Sequence, residues 1–167
     1  ERSRRRPLAL AIGGIGLAAV VSAEWLRTRE PTTEVAQAPD NQAINLGHLS
    51  GDAVGVFAGT LKHSGQISAQ AVSVQGGKVV LQAAGDTLVS GSIKASALDA
   101  KGGNIDVLGQ RVALQAGASL DASGAAGGGN VRVGGDFQGR NPDVVNATQT
   151  HFDRDATIRA DATESGQ

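Results

Sequence analysis

The chain lacks cysteine, methionine and tyrosine, and its 167 residues include only three Phe and one Trp. Without Cys there is no disulfide framework. The same absence suits a chain that must stay unfolded in an oxidising compartment. So few aromatics argue against a propeller, whose blades use longer strands and aromatic girdles. Charge of one sign is missing too: the net charge is −1, so no global field draws in nucleic acid or an anionic membrane. Glycine, in contrast, is abundant, at 24 residues. Each would cost about 1 kcal/mol in a helix interior, which excludes helical repeats.

What is present repeats. Gly76-Gly77-Lys78-Val79-Val80-Leu81 is followed by Gly102-Gly103-Asn104-Ile105-Asp106-Val107 and by Gly128-Gly129-Asn130-Val131-Arg132-Val133, with 26 residues from Val79 to Ile105 and again from Ile105 to Val131. A second motif keeps nearly the same step: Ile67, Ile93 and Leu120 head Ile-Ser-Ala, Ile-Lys-Ala and Leu-Asp-Ala, 26 and 27 residues apart. A constant period of this size marks a solenoid, propeller or array. Within each repeat apolar residues alternate with polar ones, as in Val79-x-Leu81, Val112-x-Leu114 and Leu120-x-Ala122. Period two is the strand signal, and Gly, Asn, Asp or Ser bounds each short run. The reading is all-β: a right-handed parallel β-helix of about four turns, preceded by an apolar N-terminal helix.

Taken in order, residues 1–30 carry Arg2, Arg4, Arg5 and Arg6, an apolar run from Pro7 to Ala23, and a small-residue end at Val21-Ser22-Ala23. This pattern reads as an export signal. It also reads as a membrane anchor, with membrane contact through 7–26, because the run is just long enough to span. Residues 31–43, with Pro31, Pro39, Asp40 and Asn41, read as a linker. The coil is assigned to 44–167. Val54-x-Val56 should pair with Val79-x-Leu81, Leu61 should lie below Leu88, and a loop insertion should occupy about 134–150, because Ile158 follows Leu120 by 38 residues rather than 26. Phe137 and Phe152 bracket that insertion and are expected to pin it to the coil.

Few residues promise chemistry. Outward positions stack at the repeat period, so Lys94, Asp121 and Arg159 share one slot, and Val80, Asp106 and Arg132 another. No slot stacks two acids, as acid–base cleavage of a glycan would need. Asp106 beside Arg132 reads as an exposed ion pair worth about 0–1 kcal/mol. His48, His63 and His151 lack ligand spacing and read as surface histidines. Asp136, Asp143, Asp153 and Asp155 read as solvated loop acids, since the calcium-binding glycine repeat is absent. Gly127-Gly128-Gly129 has no following Lys-Ser/Thr and reads as a tight corner. Asn104 and Asn130 fit a two-rung amide ladder. Asn146-Ala147-Thr148 matches a glycosylation acceptor by pattern alone. No catalytic, cofactor or metal residue is assigned.

The run Asp121-Ala-Ser-Gly-Ala-Ala-Gly-Gly-Gly-Asn-Val-Arg-Val-Gly-Gly-Asp-Phe-Gln-Gly139, then Asn141-Pro142, then Ala156-Thr-Ile-Arg-Ala-Asp-Ala162, resembles filamentous-haemagglutinin-type exoproteins, the passengers of bacterial two-partner secretion. The resemblance covers about 44–165. It implies a β-helix shaft without catalysis, Sec export, and passage through an outer-membrane β-barrel transporter as partner. It further implies a secreted or cell-surface, adhesin-like role toward a receptor or glycan on another cell. Family members carry a secretion domain ahead of the shaft, with Asn-Pro-Asn-type motifs. None is found before the coil, and Asn141-Pro142-Asp143 is not that motif, so the chain reads as a fragment, a remnant, or a hybrid of the shaft joined to another membrane segment. Two other readings stand beside it: a carbohydrate-binding or carbohydrate-cleaving β-helix, and a membrane-anchored surface solenoid.

Overall fold

The computed structural model describes residues 33–70 and 76–164, with side chains from residue 42 onward. The apolar segment 7–26 and the helix expected there lie outside the described residues. Among the described residues no helix is long and apolar enough to cross a membrane.

The elements are β1 (Thr33–Asn45), β2 (His48–Gly51), β3 (Ala53–His63), β4 (Gln66–Ala69), β5 (Lys78–Ala83), β6 (Asp86–Val89), β7 (Ser92–Lys94), β8 (Asn104–Leu108), β9 (Arg111–Leu114), β10 (Ser119–Asp121), β11 (Asn130–Val133), a 3₁₀ turn (Phe137–Gly139), β12 (Gln149–Phe152) and β13 (Thr157–Arg159). Each named strand pairing is parallel. Three sides result. The first stacks β1, β3, β5, β8 and β11. The second stacks the later halves of β1 and β3 with β6, β9 and β12. The third stacks β2, β4, β7, β10 and β13. Because β1 and β3 continue around a corner, the first two sides form one eight-stranded sheet, and the third is a separate five-stranded sheet. The chain visits the sides in the same order on each lap, so the architecture is a parallel β-solenoid.

The register follows the repeat. Val54, Val79, Ile105 and Val131 lie in line, as do Val56, Leu81, Val107 and Val133. On the third side Leu49, Ile67, Ile93, Leu120 and Ile158 do the same. Val79, Leu81, Ile93, Ile105, Val107 and Leu120 are fully buried and form one cluster with their neighbours. Full burial of such a side chain stabilises by about 1.5–3 kcal/mol. At the last lap the inward slots open: Val131 and Val133 are half-buried, and Phe152 and Ile158 are exposed.

The corner after the third side explains the Gly-Gly pairs. A Cβ on Gly103 would collide with the carbonyl oxygen of Gly77, and one on Gly129 with that of Gly103. The backbone laps pack directly on one another there. Gly103 N–H donates to Ala95 O (2.7 Å) and Gly129 N–H to Ala122 O (2.8 Å), closing the bore against the small residues of the third side. Only close approach demands glycine at these two sites.

Two expectations change. Leu61 pairs with Thr87, not Leu88, which pairs with Lys62. Thr87 holds the buried slot because threonine has the shape of valine, and its hydroxyl donates to Leu108 O at 2.7 Å, so nothing polar is stranded. The stretch read as a linker, 31–43, runs largely as strand: β1 pairs with β3 from Thr33, slipping register between Ala38 and Gln42. The proline and its polar neighbours (Pro39, Asp40, Asn41) fall in that slip, opposite Gly59. Proline lacks the N–H a ladder needs, so its presence marked a bulge rather than the end of pairing.

A buried carboxylate in the aliphatic stack should unfold the coil or lower its melting point sharply, by several kcal/mol. Ile105→Asp is expected to do this in circular dichroism melts. Leu98→Asp, at an exposed site, should stay within about 0.5 kcal/mol of the parent. Equal tolerance at the two sites would contradict the assigned facing.

Candidate functional site

A solenoid's regular surface carries little chemistry of its own, so the departures from regularity are informative. The main one follows β11. The chain leaves at Gly134 and rejoins the lattice at β12, where Gln149 pairs with Arg111 at a separation of 38 residues. Leu120 and Ile158 on the third side show the same separation.

The excursion folds back over the first side. Asp106 and Leu108 occupy outward slots, since they pair with Val80 and Gln82, yet both are buried. Arg132 Nε and Nη2 donate to the two Asp106 oxygens at 2.6 and 3.0 Å, and Arg132 Nη1 donates to Asp136 at 3.3 Å. This bidentate pair is not the exposed one read from the sequence: Asp106 is 5 % exposed. Arg132, the next residue of the same column, meets Asp106, and Asp136 from the loop holds that guanidinium in turn. Asp136 also accepts from Asn141 Nδ2 (2.9 Å) and from Phe137 N–H (2.7 Å). Asn141 Oδ1 in turn accepts from Asp143 N–H (3.0 Å). Thr148 donates through its N–H and its hydroxyl to Gln110 O (2.8 and 2.9 Å). Val144 is buried and Ala147 packs against the core.

Polar contacts and Val144, rather than aromatic rings, therefore anchor the loop. Phe137 is 78 % exposed and Phe152 is also exposed, so the expectation that they pin it fails. Phe137 begins the 3₁₀ turn, followed by Gln138 at φ 55°, a left-handed backbone that non-glycine residues adopt uncommonly. Within the acceptor-like Asn146-Ala147-Thr148, Asn146 Oδ1 accepts from Asp136 N–H (3.4 Å). All three residues thus have roles inside the loop.

Other outward columns are paired or structural. Asp86 is held by Arg111 at 2.6 and 2.8 Å. That donation keeps its carboxyl below the ordinary carboxylate value, so it is no proton donor near neutrality. A shallow open groove on the second side is lined by this pair with Leu88, Ala113, Gln149 and His151. It brings a single acid to its polar edge. Lys94, Asp121 and Arg159 do share a column. The Asn ladder forms, with Asn130 Nδ2 donating to Asn104 Oδ1 at 3.1 Å. Asp153 accepts from Asp155 N–H (3.0 Å) and so shapes a turn. Among the described residues no group of three or more His, Asp or Glu side chains could hold a metal ion.

The histidines separate. His48 and His151 are exposed, but His63 is 1 % exposed and lies inside the bore, correcting its reading as a surface residue. Its Nδ1 meets Asn45 Nδ2 at 3.2 Å and its Nε2 meets Ser92 O at 3.3 Å. The sequence did hold a signal. His63 continues the alternation Leu61-x-His63, so it had to face the same way as Leu61.

No protein-family model and no curated protein matches the chain. Among solved structures it is similar to the crystal structure of the HMW1 secretion domain from Haemophilus influenzae, with TM-score 0.66 and 31 % identity over 75 % of this chain and 35 % of that one. The chain thus spans about a third of the length of that structure. The likeness supports an all-β parallel coil similar to part of that secretion domain.

Removing Arg132 leaves the buried Asp106 carboxylate without its main partner. Arg132→Ala should lower stability by about 2 kcal/mol, between the values for an exposed and a fully buried pair. Urea unfolding measures this, and exchange of amides 134–148 should rise with it. Asp136 is held below 3.8 chiefly by Asn141, then by the Phe137 N–H and Arg132. A carboxyl depressed in the fold contributes stability above its unfolded value and loses it as pH falls through the folded one. Asn141→Ala should therefore move the Asp136 carboxyl titration upward, toward 3.8, by carbon-detected NMR.

Proposed function

We propose that the chain is a non-catalytic length of right-handed parallel β-helix, of five laps over the described residues rather than the four expected from the sequence, from a secreted or surface-displayed, adhesin-like exoprotein of the filamentous-haemagglutinin type. An outer-membrane β-barrel transporter of two-partner secretion would carry it out of the cell. The observation that carries this reading is the likeness to a secretion domain at 31 % identity and TM-score 0.66, on a chain whose residues 121–162 also resemble that class of exoprotein.

Physical features agree with export in an extended state. With no Cys, no disulfide can lock the chain midway. Each lap needs only its predecessor as a template, so folding can propagate along the coil as the chain emerges. The non-catalytic part of the proposal rests on the outward columns. Among the described residues the outward acids are paired with arginine or hydrogen-bonded within loops, and the two that meet, Asp106 and Asp136, are both engaged by Arg132.

The neighbour's description favours a second placement within the same export system. The stretch would then lie in the part of the exoprotein that engages the transporter, instead of in the shaft beyond it. Co-expression with the cognate transporter should deliver the chain to the culture medium. Retention in the periplasm despite an active transporter would overturn the export reading. Fusing residues 33–164 between a Sec leader and a reporter separates the two placements. Export of the fusion assigns the secretion-domain role. Export only after a separate secretion domain is added assigns the shaft role.

A further inference from the structure

His63 ends β3 on an inward slot, in line with Val89, Leu114 and Phe152 on later laps. It is the one histidine inside the aliphatic bore among the described residues. Its protonation state can be read from its partners. Asn45 Oδ1 accepts from Gly47 N–H at 3.0 Å, which fixes the amide and turns Nδ2 toward His63 Nδ1. An amide nitrogen only donates, so Nδ1 must accept. The ring is therefore neutral, with its proton on Nε2, donated to Ser92 O. A second proton would set one N–H against another and place a charge in the bore.

The contacts connect separate parts of the coil. Asn45 ends β1, His63 ends β3, and Ser92 opens β7 on the other sheet. The ring meets Asn45 from β1, the Ser92 carbonyl from β7 and Val89 as its pairing partner on β6. None of these carries a charge. The nearest cations in sequence, Lys62 and Lys94, stand exposed on outward slots, and Asp86 is engaged with Arg111. Among the described residues no carboxylate reaches the ring to stabilise an imidazolium.

We propose that Asn45, His63 and Ser92 form an acid-released clasp on the first laps of the coil, closed by the neutral imidazole and opened when it takes a second proton. This goes beyond export and would hold for either placement of the chain in the exoprotein. Burial lowers the ring's proton affinity below the ordinary 6.5, partly offset by the bond to Ser92. The opened chain binds the proton at the ordinary value. As pH falls below about 6.5, the closed form therefore loses ground by up to about tenfold per pH unit, until the closed ring itself titrates. Above that pH the effect vanishes. Hydrogen bonds hold the Asp86 and Asp136 carboxyls below the ordinary carboxylate range, so the window from about pH 7.5 to 5.5 is the histidine range.

The test uses the full chain. Hydrogen exchange, corrected for intrinsic rates, is compared at pH 7.5 and 5.5. Opening of β1, β3 and β7 should rise by up to about tenfold on acidification, while β8 and β10 change little. In His63→Gln, which keeps polar partners and cannot titrate, the difference should disappear. Nitrogen NMR of the parent needs no variant to fold: it should show the Nε2–H tautomer and a His63 midpoint below 6.5. A midpoint at or above 6.5, equal acid response in all strands, or an unchanged response in His63→Gln would each overturn the proposal.

Discussion

Parallel hydrogen bonding between successive laps, in strict register, is the constraint on which the rest of this molecule depends. It makes the axial neighbour of each residue the one a lap away, 25 to 27 positions along over most of the coil. Every other feature answers to it. The bore is filled by stacked Val, Ile, Leu and Ala because a column admits only side chains that fit above and below their like. The Gly-Gly corners exist because backbone packs on backbone there. Opposite charges alternate along outward columns because like charges at one lap's spacing would repel.

That regularity made the fold readable from Val79, Ile105 and Val131, whose spacing alone put them in one column. What escaped the reading was wherever burial came from something other than the repeat. Asp106 looked exposed because its slot faces outward. Arg132 closes over it bidentately and is itself held by Asp136 from the loop, whose trajectory has no period. Thr87 looked polar and Leu88 apolar, so composition favoured the wrong one. The 26-residue step from Leu61 leads to Thr87. By residue type His63 reads as a surface group, whereas its position two residues after Leu61 places it inside. The error over residues 31–43 has a similar origin: Pro39 and its polar neighbours describe a local bulge, while the strand pairing extends on either side of it.

The candidate site was legible in outline and not in substance. A surplus of residues between Leu120 and Ile158 announced the excursion. Its anchoring by Arg132, Asp136, Asn141 and Thr148 was not visible, because those contacts join residues with no shared slot. Aromatic residues were the natural guess for anchors in a chain with so few of them. In fact Phe137 points outward from a turn held by carboxylate and amide groups, and the coil gains nothing from its ring.

The excursion adds the same displacement on both sheets that follow it, as the 38-residue separations of β9 to β12 and β10 to β13 show. The lattice is blind to what happens between exit and re-entry, so long as the chain comes back in phase. Ornament and scaffold are accordingly separate drafts of one text. The passage can vary in length while the laps on either side keep their partners, provided the contacts of Asp136, Val144 and Thr148 that seat it on the coil are kept.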